Sequence, residues 1–251
     1  MMAVKEPALF VRQSPFQLAR QNYLLAALPA TDYARLLPYL KQVPLELGRV
    51  LYESGSRHGY AYFLTSSIVS LLYITKDGGS AETAVVGNEG IVGIAHLLGG
   101  ETTPNHAMVR SAGYGYRIKG SILKKEFERG GLLQQLLLRY TQALITQMGQ
   151  TAVCNRHHSI EQQLCRWLLL SFDRLSSNEL TMTQELIANM LGVRREGVTE
   201  AAGHLQAAGL IRYARGHISL LDRPRMQARV CECYAVVKRE YGRLLQQSTA
   251  T

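Results

Sequence analysis

Residues 183–205, TQELIANMLGVRREGVTEAAGHL, hold the pattern that decides the fold. Thr183 is suited to begin a helix, because a threonine hydroxyl can accept a hydrogen bond from the backbone of the first turn. A small residue, Ala188, lies four positions before Gly192, which falls in the turn after that helix. This spacing allows a second helix to cross the first closely and therefore predicts a helix-turn-helix.

The second helix of this pair is predicted to have two unlike faces. At about 100° per residue, one side collects the apolar residues Val198, Ala201, Ala202 and Leu205. The other side carries Arg195, Glu196, Thr199 and Glu200. A packed back and a hydrogen-bonding front are typical of a recognition helix in the DNA major groove, where arginine can bond guanine and glutamate can accept from cytosine. An ordinary amphipathic helix with a solvated face is the alternative.

A β-hairpin is predicted over residues 210–220, LIRYARGHISL, with its tip at Arg215 and Gly216. A hairpin directly after a helix-turn-helix forms a wing, whose exposed cations are placed to touch phosphates. The candidate wing contacts are Arg212, Arg215 and His217. Thr183, Gln184 and Arg194, at the starts of the two helices, complete the candidate DNA-binding set. A polar hairpin without a ligand is the alternative reading of this segment.

The N-terminal half reads as a β-domain that follows two short helices in residues 17–40. Short β-rich runs occur at 50–52, 60–64, 68–75, 81–86, 107–109 and 114–118. Twelve of the 22 glycines lie between Gly48 and Gly115, and Asp77 with Gly78 predicts a hairpin turn. Many short strands with glycine turns indicate a sandwich, barrel or jelly roll. The glycine-rich residues 87–100 could bring backbone N–H groups to a phosphate, with plain turn chemistry as the alternative.

A long helix is predicted over residues 121–150, between the two halves. Leu133, Leu137, Tyr140 and Leu144 follow a 4-3-4 spacing in it, which is typical of a seam between helices. We expect this seam to form a homodimer interface, because the apolar stripe of such a helix needs a partner. Packing against the chain's own β-domain is the alternative. A single basic helix is predicted over residues 223–247.

Composition limits the classes of protein that remain. The chain has 251 residues, 47% of them hydrophobic, so it can bury a core and wholesale disorder is excluded. The net charge of +9 favours a polyanionic partner. Neither a run of about 18 apolar residues nor a signal peptide is evident, which together with sparse cysteines leads us to expect a cytoplasmic protein. No grouping of residues argues for catalysis, and no cofactor is expected.

The four cysteines offer one further possibility. Cys231 and Cys233 are close enough in sequence to chelate a soft metal, with Cys154, Cys165 or the pair His157-His158 as further ligands. Two thiols on one helix, buried or at the surface, are the favoured interpretation, and no metal site is predicted.

With these motifs in place, the sequence resembles the Crp/Fnr superfamily of bacterial transcription regulators over roughly residues 20–222. Residues 191–198, LGVRREGV, are similar to the family's Gly-x-Ser-Arg-Glu-x-Val segment, whose arginine and glutamate read bases. Those roles fall on Arg195 and Glu196. The family's serine is Arg194 here, so a helix cap is lost, and a later base-contacting arginine aligns with Glu200. The resemblance thus implies an operator that differs from the usual one.

The resemblance implies an α+β protein in three parts. These are an N-terminal double-stranded β-helix (jelly-roll) sensor domain in residues 1–120, a dimerisation helix in 121–155 and a C-terminal winged helix-turn-helix domain in 156–251. The expected function is sequence-specific transcription regulation by a homodimer bound to a pseudo-palindromic operator in double-stranded DNA. RNA polymerase is a further expected partner. A cyclic-nucleotide-binding signalling module that acts through protein contacts is the alternative.

The expected effector pocket is degenerate. Cyclic-nucleotide binders of the superfamily carry Gly-Glu in the glycine-rich turn and an arginine about ten residues later. Here Gly93 precedes Ile94, and the arginine position falls on Asn105 or His106. No arginine occurs between residues 57 and 110, so cyclic AMP and cyclic GMP are not expected ligands and the effector is unknown. The iron–sulfur chemistry of the oxygen-sensing branch is not expected either, because the first cysteine is Cys154.

Overall fold

Three short helices precede the β-domain in the computed structural model, which describes residues 15–57, 59–100 and 102–245. They span Pro15–Ala19 (α1), Tyr23–Ala26 (α2) and Ala30–Leu36 (α3), and a 3-10 turn follows at Leu37–Tyr39. The sequence predicted two helices here. The buried Asn22 caps α2 and its amide donates to the carbonyls of Leu64 and Gly90, at 2.9 and 2.7 Å. One side chain therefore ties these helices to the β-domain.

The β-domain consists of eight strands within the described residues. They are Lys41–Leu45 (β1), Val50–Tyr52 (β2), Tyr60–Leu64 (β3), Ile68–Ile74 (β4), Ser80–Val86 (β5), Ile91–Val92 (β6), His106–Ser111 (β7) and Gly113–Lys119 (β8). Two antiparallel sheets result, with strand orders β1-β8-β3-β6 and β2-β7-β4-β5. All six predicted runs are strands, and Asp77 and Gly78 lie in the turn between β4 and β5. β1 and β6 were not predicted, because Pro44 interrupts the first and the second has only two residues.

Two helices, not one, join the halves of the chain. Helix α4 spans Gly120–Glu128 and α5 spans Gly131–His157. Gly130 and Gly131 both have a φ of +78°, a left-handed conformation that glycine adopts readily. This conformation separates α4 from α5. The prediction of one helix through residues 121–150 is wrong at this point.

The predicted dimer seam faces the interior of the chain itself. Leu133, Leu137, Tyr140 and Leu144 are each at most 4% exposed and belong to the core of the β-domain. The Tyr140 hydroxyl donates to the carbonyl of Ile91 at 3.1 Å, and a Cβ on Gly90 would lie 2.4 Å from the Tyr140 ring. Assigning these four residues to a dimer interface is therefore wrong, because the β-sheets of the same chain already cover this stripe.

The C-terminal part contains five helices and a small sheet within the described residues. They are Ile160–Phe172 (α6), Glu179–Thr181 (β9), Gln184–Leu191 (α7), Arg195–Ala207 (α8), Ile211–Ala214 (β10), His217–Leu220 (β11), Arg223–Arg229 (α9) and Glu232–Leu245 (α10). The single helix predicted over 223–247 is two helices, because Val230 is extended, and its last two residues lie outside the described ones. In the part of the chain that the structure describes, no helix is long and apolar enough to cross a membrane.

A buried ion pair links the β-domain to α6. The Arg110 guanidinium on β7 contacts the Glu82 carboxylate on β5 at 2.8 Å and donates to Ser171 Oγ on α6 at 2.7 Å. It also lies over the Trp167 ring of α6, 4.4 Å from the centroid. Because the Arg110 side chain is fully buried, its charge depends on Glu82 for compensation.

A second ion pair lies in the same interface. Arg174, just after α6, donates from Nε to the Glu89 carboxylate at 2.7 Å and from Nη2 to Gln147 Oε1 of α5 at 3.1 Å. The Gln147 amide in turn donates to the carbonyl of Val85 at 3.0 Å. The β-domain, α5 and the C-terminal part therefore meet in one polar network.

We predict that Glu82→Gln lowers the free energy of unfolding by about 3–5 kcal/mol, because it leaves the Arg110 charge buried without a counterion. Denaturant unfolding followed by circular dichroism measures this. Glu240→Gln, in the exposed pair of Glu240 with Arg243, is the matched control and should change stability little. A Glu82→Leu, Arg110→Met double variant should recover part of the loss. Parent-like stability of Glu82→Gln would contradict the role given to the pair.

Candidate nucleic-acid interface

The turn between α7 and α8 has the predicted geometry. Thr183 caps α7, and its hydroxyl oxygen accepts a hydrogen bond from the Leu186 amide at 3.2 Å. Gly192 ends α7 with φ +68° and ψ +34°, and its amide donates to the carbonyl of Ala188. Only glycine takes this left-handed conformation without strain, so the chain reverses here and α8 crosses α7.

Helix α8 has the two faces that its sequence predicts. Val198, Ala201, Ala202 and Leu205 are buried in the core of the C-terminal part. Arg195, Glu196, Thr199 and Glu200 are exposed. Arg194 precedes the helix without a side-chain cap, so its side chain accepts no hydrogen bond from the first backbone N–H groups of α8.

Two contacts orient the exposed face of α8. The Thr199 hydroxyl donates to Gln184 Oε1 at 2.7 Å, which links the start of α7 to α8. The Arg195 guanidinium lies 4.0 Å from the Glu185 carboxylate, and both side chains are 63% exposed. An exposed pair of this kind is weak, so Arg195 can exchange Glu185 for another partner at little cost.

The predicted wing is present as β10 and β11. At its tip, Arg215 and Gly216 have φ values of +51° and +81°, as expected for a two-residue hairpin turn with two positive φ angles. Arg212, Arg215 and His217 are exposed, and His217 Nδ1 lies 3.2 Å from Thr181 Oγ1 on β9. The neighbouring strand β9 completes a three-stranded sheet.

A surface groove of about 420 Å³ brings four of the predicted residues together: Thr183, Gln184, Arg195 and Arg215. Arg194, Glu196, Thr199, Glu200, Arg212 and His217 do not line this groove. Glu185 and Tyr213 do line it and were missed. The Tyr213 hydroxyl donates to the carbonyl of Met182 at 2.8 Å, which fixes the wing against the start of α7. Its position in a strand between two arginines was the available signal.

The four residues of the expected effector pocket carry no fixed charge. Gly93 has φ +98° and begins a 3-10 turn, in which Ile94 packs against the hydrophobic core. Asn105 is buried, and its Oδ1 atom has no hydrogen-bond partner among the described residues. His106 begins β7 opposite Leu72. These four residues therefore offer an anion backbone N–H groups and no fixed positive charge.

The cysteines are not isolated thiols on one helix. The ligand atoms of Cys154, His158, Cys231 and Cys233 all lie within 4.8 Å of one another, so these four residues have the composition and spacing to hold a metal ion. Cys165 is buried elsewhere, in the core beside Trp167. Cys231 and Cys233 are free, buried thiols as the favoured interpretation has it, but only Cys233 lies on a helix, because α10 begins at Glu232.

The fold combines a two-sheet β-domain, a long helix and a winged helix-turn-helix. Residues 162–229 match the family model of the Crp-like helix-turn-helix domain. No curated protein sequence matches the chain significantly. The chain therefore contains a Crp-like helix-turn-helix domain in its C-terminal part.

Solved structures extend the likeness to most of the chain. A protein from Eubacterium rectale described as a transcriptional regulator of the Crp/Fnr family aligns with TM-score 0.65 and 17% identity, covering 82% of this chain and 98% of that one. FixK2 from Bradyrhizobium japonicum aligns with TM-score 0.64 and 17% identity, covering 76% and 98%. The c-di-GMP responsive global regulator CLP of Xanthomonas campestris gives 0.60 and 16%, covering 77% and 100%. The chain has the fold of these three proteins.

Proposed function

We propose that the protein is a sequence-specific DNA-binding transcription regulator that acts as a homodimer on a pseudo-palindromic site in double-stranded DNA. The observation that carries this proposal is the exposed polar face of α8 beside an arginine-bearing wing. A recognition helix must keep such a face open to reach base edges in the major groove. The Crp-like domain of residues 162–229 supports the same function.

Each exposed group has a role in this proposal. Arg195 and Glu196 read bases at the start of α8, where arginine suits guanine and glutamate suits a cytosine amino group. Thr199 and Glu200 follow one turn later on the same face. Thr183, Gln184, Arg194, Arg212, Arg215 and His217 contact the backbone and fix the register of the helix on the duplex. RNA polymerase is the further partner that this function implies.

The homodimer would form through the outer face of α5. The residues at positions 135, 138, 142, 145, 149, 152 and 156 alternate three and four apart, and all are exposed. Leu138 and Ile145 are the large apolar members of this outer stripe, 49% and 64% exposed. A 3-4 repeat of this kind suits the seam of a two-stranded coiled coil. The three-part division at residues 120 and 155 is part of the same proposal.

The same proposal excludes cyclic AMP and cyclic GMP as effectors. Ile94 offers no group to ribose hydroxyls, and neither Asn105 nor His106 supplies a fixed countercharge for a cyclic phosphate. The next arginine along the chain, Arg110, is fully buried and paired with Glu82, so it cannot serve in their place. Burying an uncompensated phosphate charge is costly.

We predict that Arg195→Ala weakens binding to a selected operator by about 1–3 kcal/mol and relaxes specificity at one position in each half-site. Selection from a random DNA pool, followed by titration of single-base variants, measures both effects. By contrast, Arg215→Ala should weaken binding across sequences and lower the slope of log K against log salt by about 1.

Arg243→Ala is the control for both substitutions, because Arg243 lies on α10 and pairs with Glu240 outside the α7–α8 motif. It should leave operator selection unchanged. An unaltered base preference in Arg195→Ala would contradict the assignment of α8 as the recognition helix.

We predict that Leu138→Glu and Ile145→Glu convert the dimer to monomer. Each substitution places two like charges at the symmetric seam and should raise the dimer dissociation constant about 100-fold or more. Sedimentation velocity measures the mass, and circular dichroism checks that the monomer stays folded. Leu47→Glu, at an exposed leucine of the β-domain, is the control. A dimer of unchanged mass in both variants would place the interface elsewhere.

We predict that neither cyclic AMP nor cyclic GMP binds with a micromolar or tighter dissociation constant. Isothermal titration calorimetry on the purified protein tests this directly, and titration of operator DNA into the same preparation shows that it is active. Tight binding of either nucleotide, accompanied by higher operator affinity, would overturn this part of the proposal.

A further inference from the structure

Four metal-binding side chains converge where the long helix meets the C-terminal helices. Cys154 and His158 lie at the end of α5, while Cys231 and Cys233 lie at the junction of α9 and α10. The Cys154 and Cys231 sulfurs are 3.6 Å apart, and the Cys233 sulfur is 3.6 Å from His158 Nδ1. Ligands at the usual Zn–S and Zn–N distances in a tetrahedral site lie about 3.5–3.8 Å from one another. Two of the six separations therefore already have the length that one such ion requires, and the other four are at most 4.8 Å.

We propose that Cys154, His158, Cys231 and Cys233 bind one Zn²⁺ ion in a closed structural site. Three sulfurs and one imidazole nitrogen are a common ligand set for structural zinc, and four protein ligands leave no position open for a substrate. All three cysteines are buried, and His158 is half-buried. Such a site differs in place and chemistry from the DNA-contacting surface, and it stands whether or not DNA is the partner.

His158 is oriented for this role by its second ring nitrogen. Nδ1 faces Cys233, while Nε2 lies 3.4 Å from the Glu232 carboxylate. A carboxylate that accepts from one imidazole nitrogen holds the other as a neutral lone pair toward the metal, the arrangement that most zinc-bound histidines show. The Gln163 amide also donates to the carbonyl of His158 at 3.0 Å, which fixes the backbone there.

Metal binding would change the protonation of the thiols. Without metal, the Cys154 and Cys231 sulfurs share one hydrogen bond, in which either sulfur can be the donor. Binding Zn²⁺ ionises all three thiols and releases three protons to solvent, so that three thiolates and a neutral imidazole hold the ion.

The site would close a loop that contains the whole helix-turn-helix. Between His158 and Cys231 lie α6, the α7–α8 pair and the wing. One ion would thus hold both ends of this segment to the same point on α5. Its removal would leave the winged part joined to α5 by the chain, by the contacts of α6 and α10, and by the hydrogen bond from Arg174 to Gln147.

The test begins with the intact protein, purified without immobilised metal. Elemental analysis should find about one zinc ion per chain, and replacement by Co²⁺ should give thiolate-to-cobalt charge-transfer absorption with the strong visible bands of a tetrahedral centre. Cys231→Ser and Cys233→Ser should each lose the ion or bind it much more weakly. Cys165→Ser is the control, because this buried cysteine lies outside the cluster, and it should keep the metal.

Glu232→Gln tests the orientation of His158 without removing a ligand. Its zinc affinity, measured by competition with a chromogenic chelator, should fall about 10- to 100-fold. Chelation should also lower the melting temperature of the parent protein but not that of Cys231→Ser. Three results would overturn the proposal. The parent protein could contain no zinc and give no cobalt spectrum, the Cys165→Ser control could lose the metal equally, or Cys154 and Cys231 could form a disulfide in place of a metal site.

Discussion

The buried charge of Arg110 is the constraint on which the rest of the structure depends. This guanidinium has no access to solvent, so it must find its partners within the protein, and these come from both halves of the chain: Glu82 on β5, and Ser171 and Trp167 on α6. The geometry of a fully desolvated ion pair is demanding, because its desolvation cost is offset only when the hydrogen bonds are complete. The β-domain and α6 are therefore held in one relative position. Arg174 makes a second set of contacts across the same interface, with Glu89 and Gln147. These contacts help to place the elements beyond α6, including α8, relative to the β-domain.

Helix α5 shows where sequence periodicity reaches its limit. Its 27 residues carry two stripes with the same alternation of three and four, one through Leu137 and Tyr140 and the other through Leu138 and Ile145. Periodicity predicts that such a helix packs on something, but it cannot tell which stripe meets the β-sheets and which stays outside. The stripe through Leu137 and Tyr140 packs against the β-domain, where Gly90 leaves room for the Tyr140 ring. The break at Gly130 escaped prediction for a related reason, since a glycine inside a helical pattern lowers helix propensity without dictating a left-handed turn.

The helix-turn-helix and the cysteine cluster differ in the sequence separation of the residues that determine them. Thr183, Gly192 and the faces of α8 depend on residues a few positions apart, so their geometry follows from capping, a positive φ angle and the helical period, all of which are visible in the sequence. The cluster pairs Cys154 with Cys231, 77 positions apart, and Cys233 with His158, 75 positions apart. It also needs the end of a helix at Val230, which no proline or glycine marks. Only the folded chain brings these ligands together, because their approach depends on α10 packing along α5.

The β-domain contacts the helix-turn-helix directly as well as through α6. Ser80, at the start of β5, donates to the carbonyl of Asn189 in α7 at 3.1 Å, and a Cβ on Gly192 would lie 3.4 Å from Ala81. The β4–β5 hairpin thus abuts the turn that sets the angle between α7 and α8. Packed interfaces of this kind do not deform smoothly, so a displacement of the hairpin must either move the helix-turn-helix as a unit or break these contacts. Ser70 on β4 donates to the Glu82 carboxylate on β5, so the same two strands also belong to the buried network. A change in the β-domain that reaches β5 therefore acts on α8 by both routes at once.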